Sequence, residues 1–484
     1  MSSVKEDTIR SVKWTALEKI SVQGIQFLLG LIMARLLTPE DYGTVGMLAI
    51  FIAISGTFID SGFSNAMIRK NDKTEADYCT VFYFNIVIAI VCYAVLFIVA
   101  PWVADFFHIP LLCPILRVQS VSLILNSLMG VQVARLTIDL NFKALAQRNV
   151  FASLASGVIG VALAYMGWGV WALVAQTIMG SFISLAFIWI YCRWIPQQGF
   201  SRKSFNYLWG YGSKLMASGL LHTIYTNLTT LIIGRYFSSK DLGVYSRGTQ
   251  IATYPANITN DVLGKVTFPI FAKIQNDDSR LIHVYRKYIC ITSMIIFFGC
   301  VLLAAIARPL VLFLLTSKWT GAIIYLQIFC FSIMFDHICR INLNLLQVKG
   351  RSDLFFRLEV IKKIISVSIL FASIPFGVIG ICVSKVIYTQ IAVFINTYYT
   401  GKLFNLGYVA QLKDFSGFFI KAVIACVPAY LITYLGLSDV LTLFLGCLSA
   451  IALYCLLLRN NIYMQETLNT LKDIIKRQVR CQNS

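Results

Sequence analysis

The stretches RLLTPEDYGTVG (residues 35–46) and RYFSSKDLGVYS (residues 235–246) repeat one pattern at an interval of 200 residues. Both keep an arginine, an aspartate and a glycine in register, and both place a hydroxyl residue, Thr38 or Ser238, three positions before the aspartate. Each copy follows one apolar run and opens the next. The chain therefore contains an internal duplication.

The repeated pattern has the chemistry of a helix start. The hydroxyl residue of each copy can act as the N-cap, and the aspartate follows three residues later, as in a capping box. Pro39 suits the first helical position. Gly43 and Gly243 permit two helices to approach closely. We therefore predict that each copy begins a helix and binds no ligand of its own.

The composition around these copies is that of a membrane protein. Of the 484 residues, 58% are hydrophobic and 13% are charged, and the mean hydropathy is +0.74. Soluble chains carry roughly 25% charged residues, and a spanning helix needs about 20 apolar residues. Such runs follow one another almost from end to end. The thirteen cysteines show no CxxC spacing, so we predict packed thiols and no metal site.

Breaks at proline, glycine and charge clusters predict an all-α polytopic membrane protein with about fourteen transmembrane helices. The predicted spans are 14–36, 42–68, 78–104, 111–138, 147–167, 169–192, 205–236, 241–271, 285–308, 320–348, 355–375, 376–400, 415–437 and 438–459.

The orientation follows from the basic residues of alternate connections. One set, which includes both termini, holds 26 lysines and arginines, whereas the other set holds five. By the positive-inside rule both termini are expected in the cytoplasm. The net charge of +19 then suits the anionic lipid of the cytoplasmic leaflet, and we predict no nucleic-acid partner.

A second, weaker echo extends the duplication. GWGVWALV (residues 167–174) is similar to PFGVIGICV (residues 375–383) at an offset of 208. We therefore predict two pseudo-symmetric six-helix lobes in parallel orientation, a transporter architecture. The predicted domains are an N-terminal lobe (1–200), a C-terminal lobe (201–404), two further helices (405–459) and a cytoplasmic amphipathic tail (460–484).

Charged residues inside the predicted spans are the candidates for function. A charge at the bilayer centre costs about 2.5–3.5 kcal/mol and usually faces a watery cavity. Arg247 and Lys385 have no obvious partner at helical spacing, and Arg117 is similar but nearer the periplasmic end. Asp336 and Arg340 are four residues apart, as are Asp261 and Lys265, and such pairs can neutralise each other. The substrate-binding candidates are Arg247, Lys385, Arg117 and Arg340, and the ion-coupling candidates are Asp60, Asp336 and Asp261.

The run from Arg35 to Gly43 resembles the signature of the Wzx-type polysaccharide flippases, in the superfamily of the MATE drug exporters and the lipid II flippases. The region through Met67 is most similar to the colanic-acid-exporter branch. The second copy departs from the pattern, with Ser239 where Pro39 stands. The resemblance extends over nearly the whole chain and implies a MATE-like fold with two additional C-terminal helices.

The resemblance also implies a function. It predicts a multi-pass protein of the bacterial inner membrane that moves undecaprenyl-diphosphate-linked oligosaccharide by alternating access, with the headgroup in a chamber between the lobes. A cationic chamber suits the diphosphate, because arginine and lysine both bind phosphate oxygens. The expected partners are the lipid-linked substrate, membrane lipid and a polysaccharide polymerase. No cofactor is expected beyond coupling to a Na⁺ or H⁺ gradient.

Two alternatives remain open on the sequence. A MATE-type cation-coupled drug or metabolite antiporter would share the fold, and Asp60 and Asp336 are compatible with it. A membrane enzyme would need larger extramembrane loops than the short ones predicted here, and the four histidines do not cluster with acids in sequence. We therefore expect a transporter and no enzyme. Pro255, Pro269 and Pro428 are predicted bending points within their helices.

Overall fold

The computed structural model describes residues 2–60, 62–70, 72–466 and 469, with the backbone alone for residues 2–13, 16 and 254–266. Every regular element in the described ranges is a helix, which confirms the all-α prediction. Contacts divide the chain into two compact units, unit 1 (residues 1–243) and unit 2 (residues 244–484). The lobe boundaries given above stay predictions, and most of the predicted amphipathic tail (460–484) lies outside the described residues.

Unit 1 is built from ten helices and the first residues of an eleventh. Within it, α8 packs between α1 and α9, and α10 packs along α2. The helices are α1 (Ser2–Leu36), α2 (Pro39–Asp60), α3 (Phe63–Arg69), α4 (Glu75–Phe107), α5 (Leu112–Gln119), α6 (Val121–Ser127), α7 (Gly130–Ile138), α8 (Phe142–Tyr165), α9 (Val170–Cys192), α10 (Arg202–Tyr236) and residues 239–243 of α11 (Ser239–Lys273).

Unit 2 holds the remainder of α11 and eight further α-helices. Here α18 packs against both α12 and α19, and α17 contacts α14, α15 and α16. The helices are α12 (Asp278–Ala305), α13 (Ala307–Leu315), α14 (Ala322–Ile333), α15 (Asp336–Val348), α16 (Ser352–Ser373), α17 (Gly377–Phe404), α18 (Tyr408–Ile432) and α19 (Asp439–Leu457).

The described residues include eleven helical segments that are long and apolar enough to cross a membrane. One of them, residues 352–404, contains two helices, α16 and α17. The 35-residue helices α10 and α11 coincide with the predicted seventh and eighth spans but are more polar. Large apolar side chains such as Ile20 and Phe444 are exposed on the surface, as lipid contact requires. The chain is therefore a multi-pass membrane protein, and the number fourteen stays a prediction.

The two motif copies form the predicted capping boxes. The Thr38 hydroxyl and backbone N–H both donate to Asp41 Oδ2, at 2.8 and 2.9 Å, and the Asp41 N–H donates back to Thr38 Oγ1 at 3.3 Å. Ser238 and Asp241 repeat the arrangement, with hydroxyl-to-carboxylate and N–H-to-hydroxyl distances of 2.7 and 3.0 Å. Both boxes satisfy N–H groups that have no partner inside the helix.

The motif glycines bring the starts of α2 and α11 into direct contact within unit 1. A Cβ atom on Gly43 would lie 1.7 Å from the carbonyl oxygen of Ser239, and one on Gly243 would lie 1.8 Å from that of Pro39. The contact is reciprocal, because each glycine packs on the first helical residue of the other copy. The predicted close helix approach is confirmed, and the two copies pack against each other.

Turns and helix breaks also recur at about the interval of the duplicated motif. The segments Leu112–Ile138 and Ala322–Val348 each have 27 residues and start 210 residues apart, and both are interrupted. Gly169, the N-cap of α9, and Gly377, the first residue of α17, are 208 residues apart and have φ of 53° and 74°, a conformation that favours glycine. These matches support the prediction of two related halves.

A buried hydrogen-bond network joins four helices of unit 2. Asn342 Oδ1 accepts from the Tyr285 hydroxyl at 2.9 Å and from the Thr400 hydroxyl at 2.7 Å. The Asn342 amide also donates to Gln411 Oε1 at 2.9 Å. All four side chains are buried, so α12, α15, α17 and α18 are tied together at one satisfied polar centre.

Candidate functional site

Unit 2 contains a cavity of about 720 Å³, which we call the charged cavity. It opens between the C-terminal part of α11, α15 and α16. Its size is in the range of small-molecule sites, roughly 300–1,000 Å³. The lining side chains are Phe268, Pro269, Asp336, Cys339, Arg340, Leu343, Asn344, Gln347, Phe355 and Glu359.

Asp336 reaches this cavity because the span Ala322–Val348 is broken. Helix α14 ends at Ile333, Phe335 takes φ −99° and ψ −4°, and Asp336 is the first residue of α15. The N-terminus of a helix carries partial positive charge, which favours a carboxylate there. Discontinuous helices place substrate and coupling-ion sites in many transporters. The break thus puts an exposed carboxylate inside a membrane span.

Basic groups outnumber acidic ones around Asp336. The cations that act electrostatically on its carboxylate are, in decreasing order, Arg340, Lys385 and Lys362. Lys362 is buried, with 8% of its side chain exposed, and its ammonium donates to Glu359 Oε1 at 2.5 Å. Three cations therefore act near two carboxylates, and of the three cations only Arg340 is a lining residue of the charged cavity.

The predicted pairing of Asp336 with Arg340 is looser than a salt bridge. Among the described residues, no cation lies within 4.0 Å of the Asp336 carboxylate. Arg340 lies one turn further along α15 and is exposed in the cavity. Its guanidinium is therefore accessible to an anion that enters. Lys385, on α17, is half-buried and acts electrostatically on Asp336, but it is not among the residues that line the charged cavity.

Arg247, a third predicted substrate residue, lies elsewhere in unit 2. Its Nη1 donates to Gln250 Oε1 at 2.7 Å, and its guanidinium lies 6.0 Å from the ring centre of the buried Trp319. The prediction that Arg247 lacks a partner at helical spacing is wrong, because Gln250 is three residues further along the same helix. Arg247 is not among the residues that line the charged cavity.

Arg117 belongs to unit 1. Its Nε donates to the Phe97 carbonyl at 3.2 Å, and the guanidinium lies 4.3 Å from the centre of the Phe97 ring. This contact accounts for an arginine at that position by cation–π and hydrogen-bond interactions alone. Its role as a substrate residue stays a prediction.

The other two predicted coupling acids are Asp60, which is not a lining residue of the charged cavity, and Asp261. Asp60 is in unit 1 at the end of α2, exposed, and accepts a hydrogen bond from the Ser64 hydroxyl at 2.8 Å. The side chain of Asp261 lies outside the described residues. Of the seven predicted site residues, the structure brings together Asp336, Arg340 and Lys385.

Glu359 and Lys362 are site residues that the sequence analysis did not select. Their spacing of three residues inside one apolar run is the signal that could have found them, because it places both on one face of α16. The remaining information, that this face borders the same cavity as Asp336, is not contained in the local sequence.

Comparisons with known proteins agree with this architecture. The family model described as "Polysaccharide biosynthesis protein" matches residues 32–324. The chain is 25% identical to the lipopolysaccharide biosynthesis protein WzxC of Escherichia coli over 384 residues, which cover 78% of this chain and 76% of WzxC. It is 26% identical to the succinoglycan biosynthesis transport protein ExoT of Rhizobium meliloti, over 65% of this chain and 63% of ExoT.

The fold is similar to that of a solved flippase. The lipid II flippase MurJ, in an inward closed conformation, matches 92% of this chain and 100% of its own with a TM-score of 0.72 at 14% identity. At that identity the likeness concerns the fold. Because the family model covers more than half of the sequence, the chain belongs to the polysaccharide biosynthesis protein family.

Proposed function

We propose that this protein is a flippase of the bacterial inner membrane that translocates undecaprenyl-diphosphate-linked oligosaccharide for lipopolysaccharide or exopolysaccharide synthesis. Family membership supports the pathway, and the relatives include a lipopolysaccharide biosynthesis protein and a succinoglycan biosynthesis transport protein. The fold shared with a lipid II flippase supports the mode of action, which we take to be alternating access.

The charged cavity is the observation that carries the proposal. An undecaprenyl-diphosphate-linked saccharide presents two phosphate groups beside a long apolar chain. Arg340 offers a planar set of donors that fits phosphate oxygens, and Lys385 adds a second positive charge near Asp336. The apolar outer surface allows the prenyl chain to stay in the bilayer while the headgroup crosses.

Asp336 is the carboxylate that we propose to couple transport to a Na⁺ or H⁺ gradient. It is exposed to the cavity and is surrounded by the cations that would hold the cargo. A cation or proton on Asp336 and an anion on Arg340 would therefore influence each other's binding. Asp60 and Asp261 are the alternative coupling residues. A polysaccharide polymerase is the partner that we expect to use the translocated units.

The carboxylates of the cavity also favour a second candidate, a MATE-type antiporter for cationic compounds. Asp336 and Glu359 could both attract a cation. The ion pair of Glu359 with Lys362 and the proximity of Arg340 to Asp336 oppose this, because each carboxylate already has a cation near it. We therefore rank the antiporter second.

The proposal is tested by deleting the gene and measuring surface polysaccharide and lipid-linked saccharide. Complementation uses wild type, Arg340→Ala, Lys385→Ala and Arg247→Ala at matched expression. Arg357→Ala is the matched control, because Arg357 is an exposed arginine on α16 that is not among the lining residues.

We expect the deletion to remove surface glycan and to accumulate lipid-linked units inside the cell. Wild type and Arg357→Ala should restore the glycan, whereas Arg340→Ala and Lys385→Ala should not. Unchanged surface glycan together with increased drug sensitivity in the deletion strain would reject the flippase in favour of the antiporter.

A further inference from the structure

Unit 1 contains a second cavity, of about 380 Å³, between α1, α6, α8 and α9, which we call the neutral cavity. All eleven of its described lining residues are uncharged. Five carry hydroxyl groups, two are the small residues Ala152 and Gly180, and four carry amides. The amide side chains are Gln26, Asn126, Asn149 and Gln176.

Most of the polar groups in the neutral cavity are available for a ligand. In the part of the chain that the structure describes, two of the nine polar lining side chains make hydrogen bonds. The Asn149 amide nitrogen donates to Glu18 Oε1 at 2.5 Å, and the Asn149 Oδ1 accepts from the Arg148 guanidinium at 2.6 and 3.0 Å. The Thr177 hydroxyl donates to the Leu173 carbonyl at 3.0 Å. Inside a bilayer, the other seven need water or a ligand to satisfy them.

Glycine contacts enclose the neutral cavity at one end. A Cβ on Gly157 of α8 would lie 2.0 Å from Leu29 of α1, and one on Gly160 would lie 2.9 Å from Gln176 of α9. The three helices are therefore closely packed just beyond Ser156, which is the last lining residue on α8. The neutral cavity therefore lies beside a region in which the helices pack closely.

The lining selects an uncharged ligand rich in hydroxyl groups. Each amide side chain offers both donors and acceptors, and so does each hydroxyl, which is the pattern that sugar hydroxyls need. A phosphate or carboxylate would find no cation among the lining residues, and a metal ion would find no carboxylate. The volume falls within the range of about 300–1,000 Å³ that is typical of ligand pockets.

We propose that the neutral cavity is a binding site for an uncharged sugar residue of the transported saccharide. The inference rests on the proposed function, because the lipid-linked cargo supplies the sugar. Asn126 and Gln176 are the side chains that recognise its hydroxyl groups. The cavity thereby makes binding depend on the glycan as well as on the diphosphate.

The test measures binding of two lipids to the purified full-length protein in nanodiscs by native mass spectrometry. One probe is undecaprenyl diphosphate, and the other is the lipid-linked saccharide extracted from the deletion strain. Asn126→Leu and Gln176→Leu remove amides of the cavity. Gln147→Leu makes the same change at an exposed glutamine of α8 outside the cavity and serves as the control.

Wild type and Gln147→Leu should bind the saccharide-bearing lipid more tightly than undecaprenyl diphosphate. Each cavity variant should lose about tenfold of this preference, the equivalent of one or two hydrogen bonds, while its affinity for undecaprenyl diphosphate stays unchanged. Unchanged affinity for the bare lipid also shows that the variant is folded.

The sugar site is rejected if Asn126→Leu and Gln176→Leu both keep the full preference. It is also rejected if wild type binds the two lipids equally. If wild type binds neither lipid, the proposed flippase function fails first, and the sugar site falls with it. Arg340→Ala should weaken the binding of both lipids and keep the preference for the saccharide-bearing one. That result would mean that the charged cavity binds the diphosphate and that the neutral cavity does not.

Discussion

The two cavities share two lining positions that correspond in the duplicated sequence, but they differ in the charge of their lining side chains. Asn126, near the end of α6 in unit 1, and Asp336, at the start of α15 in unit 2, lie 210 residues apart in their 27-residue segments. At the same offset, Asn149 corresponds to Glu359, and Ala152 corresponds to Lys362. Two amides in the neutral cavity thus have carboxyl counterparts in unit 2.

This difference teaches which features the duplication preserves. Capping boxes, close glycine contacts and turn positions are kept in both copies because they determine how helices begin and pack. The side chains beside the helix break have diverged, and an amide is the nearest uncharged equivalent of a carboxylate in shape. One scaffold therefore presents a neutral and a charged cavity.

The largest expected effect comes from making the charged cavity resemble the neutral one with Asp336→Asn. If Asp336 couples transport to an ion gradient, translocation of the lipid-linked saccharide should fall to the level of protein-free liposomes, because an amide cannot take up a proton or hold Na⁺ as a carboxylate does. The measurement is flipping in proteoliposomes under an imposed Na⁺ or pH gradient.

The conservative variant Asp336→Glu is the control for that experiment, and it should retain measurable gradient-driven flipping. Full activity of Asp336→Asn under both gradients would contradict the assignment. Asp60→Asn and Asp261→Asn would then be the next variants to measure.

A second effect concerns the ion pair of Glu359 with Lys362, whose counterparts in unit 1 are the uncharged Asn149 and Ala152. Glu359→Gln leaves Lys362, whose side chain is 8% exposed, without its ion partner. We expect a loss of about 3 kcal/mol in the free energy of unfolding, as for other buried pairs that lose one member. The double variant Glu359→Gln/Lys362→Met should recover most of it. Thermal unfolding followed by tryptophan fluorescence measures both, and equal stability of all three proteins would show that the pair is not needed.

A third prediction compares the buried amides Asn342 and Gln132, which also lie 210 residues apart. Asn342 bonds to three other side chains, whereas the Gln132 amide, in its preferred orientation, donates to the carbonyls of Leu128 and Met129. Asn342→Leu should therefore cost about 2–3 kcal/mol, because its partners stay buried without hydrogen bonds, and Gln132→Leu about 1 kcal/mol. A larger shift in melting temperature for Gln132→Leu would contradict the ranking.

The parts of the molecule that follow local rules were predictable from the sequence. A hydroxyl, an aspartate and a glycine at fixed spacing predicted the helix starts, and hydrophobic length predicted the helices. The cavities were not predictable to the same degree. The break before Asp336 has no proline or glycine at Met334 or Phe335, while Pro269 and Pro428 lie inside continuous helices. Such breaks depend on packing between helices that are distant in sequence.

The smallest effect should be the same in both halves. Thr38→Ala and Ser238→Ala each remove a capping hydroxyl that bonds an aspartate three residues on, at 2.8 and 2.7 Å. Each change should cost about 1 kcal/mol in unfolding free energy. Transport per folded molecule should not change, because these residues lie in neither cavity. Unequal costs, measured as shifts in melting temperature, would mean that the two copies have diverged in stability as well as in cavity chemistry. Equal costs would confine the divergence to the cavities.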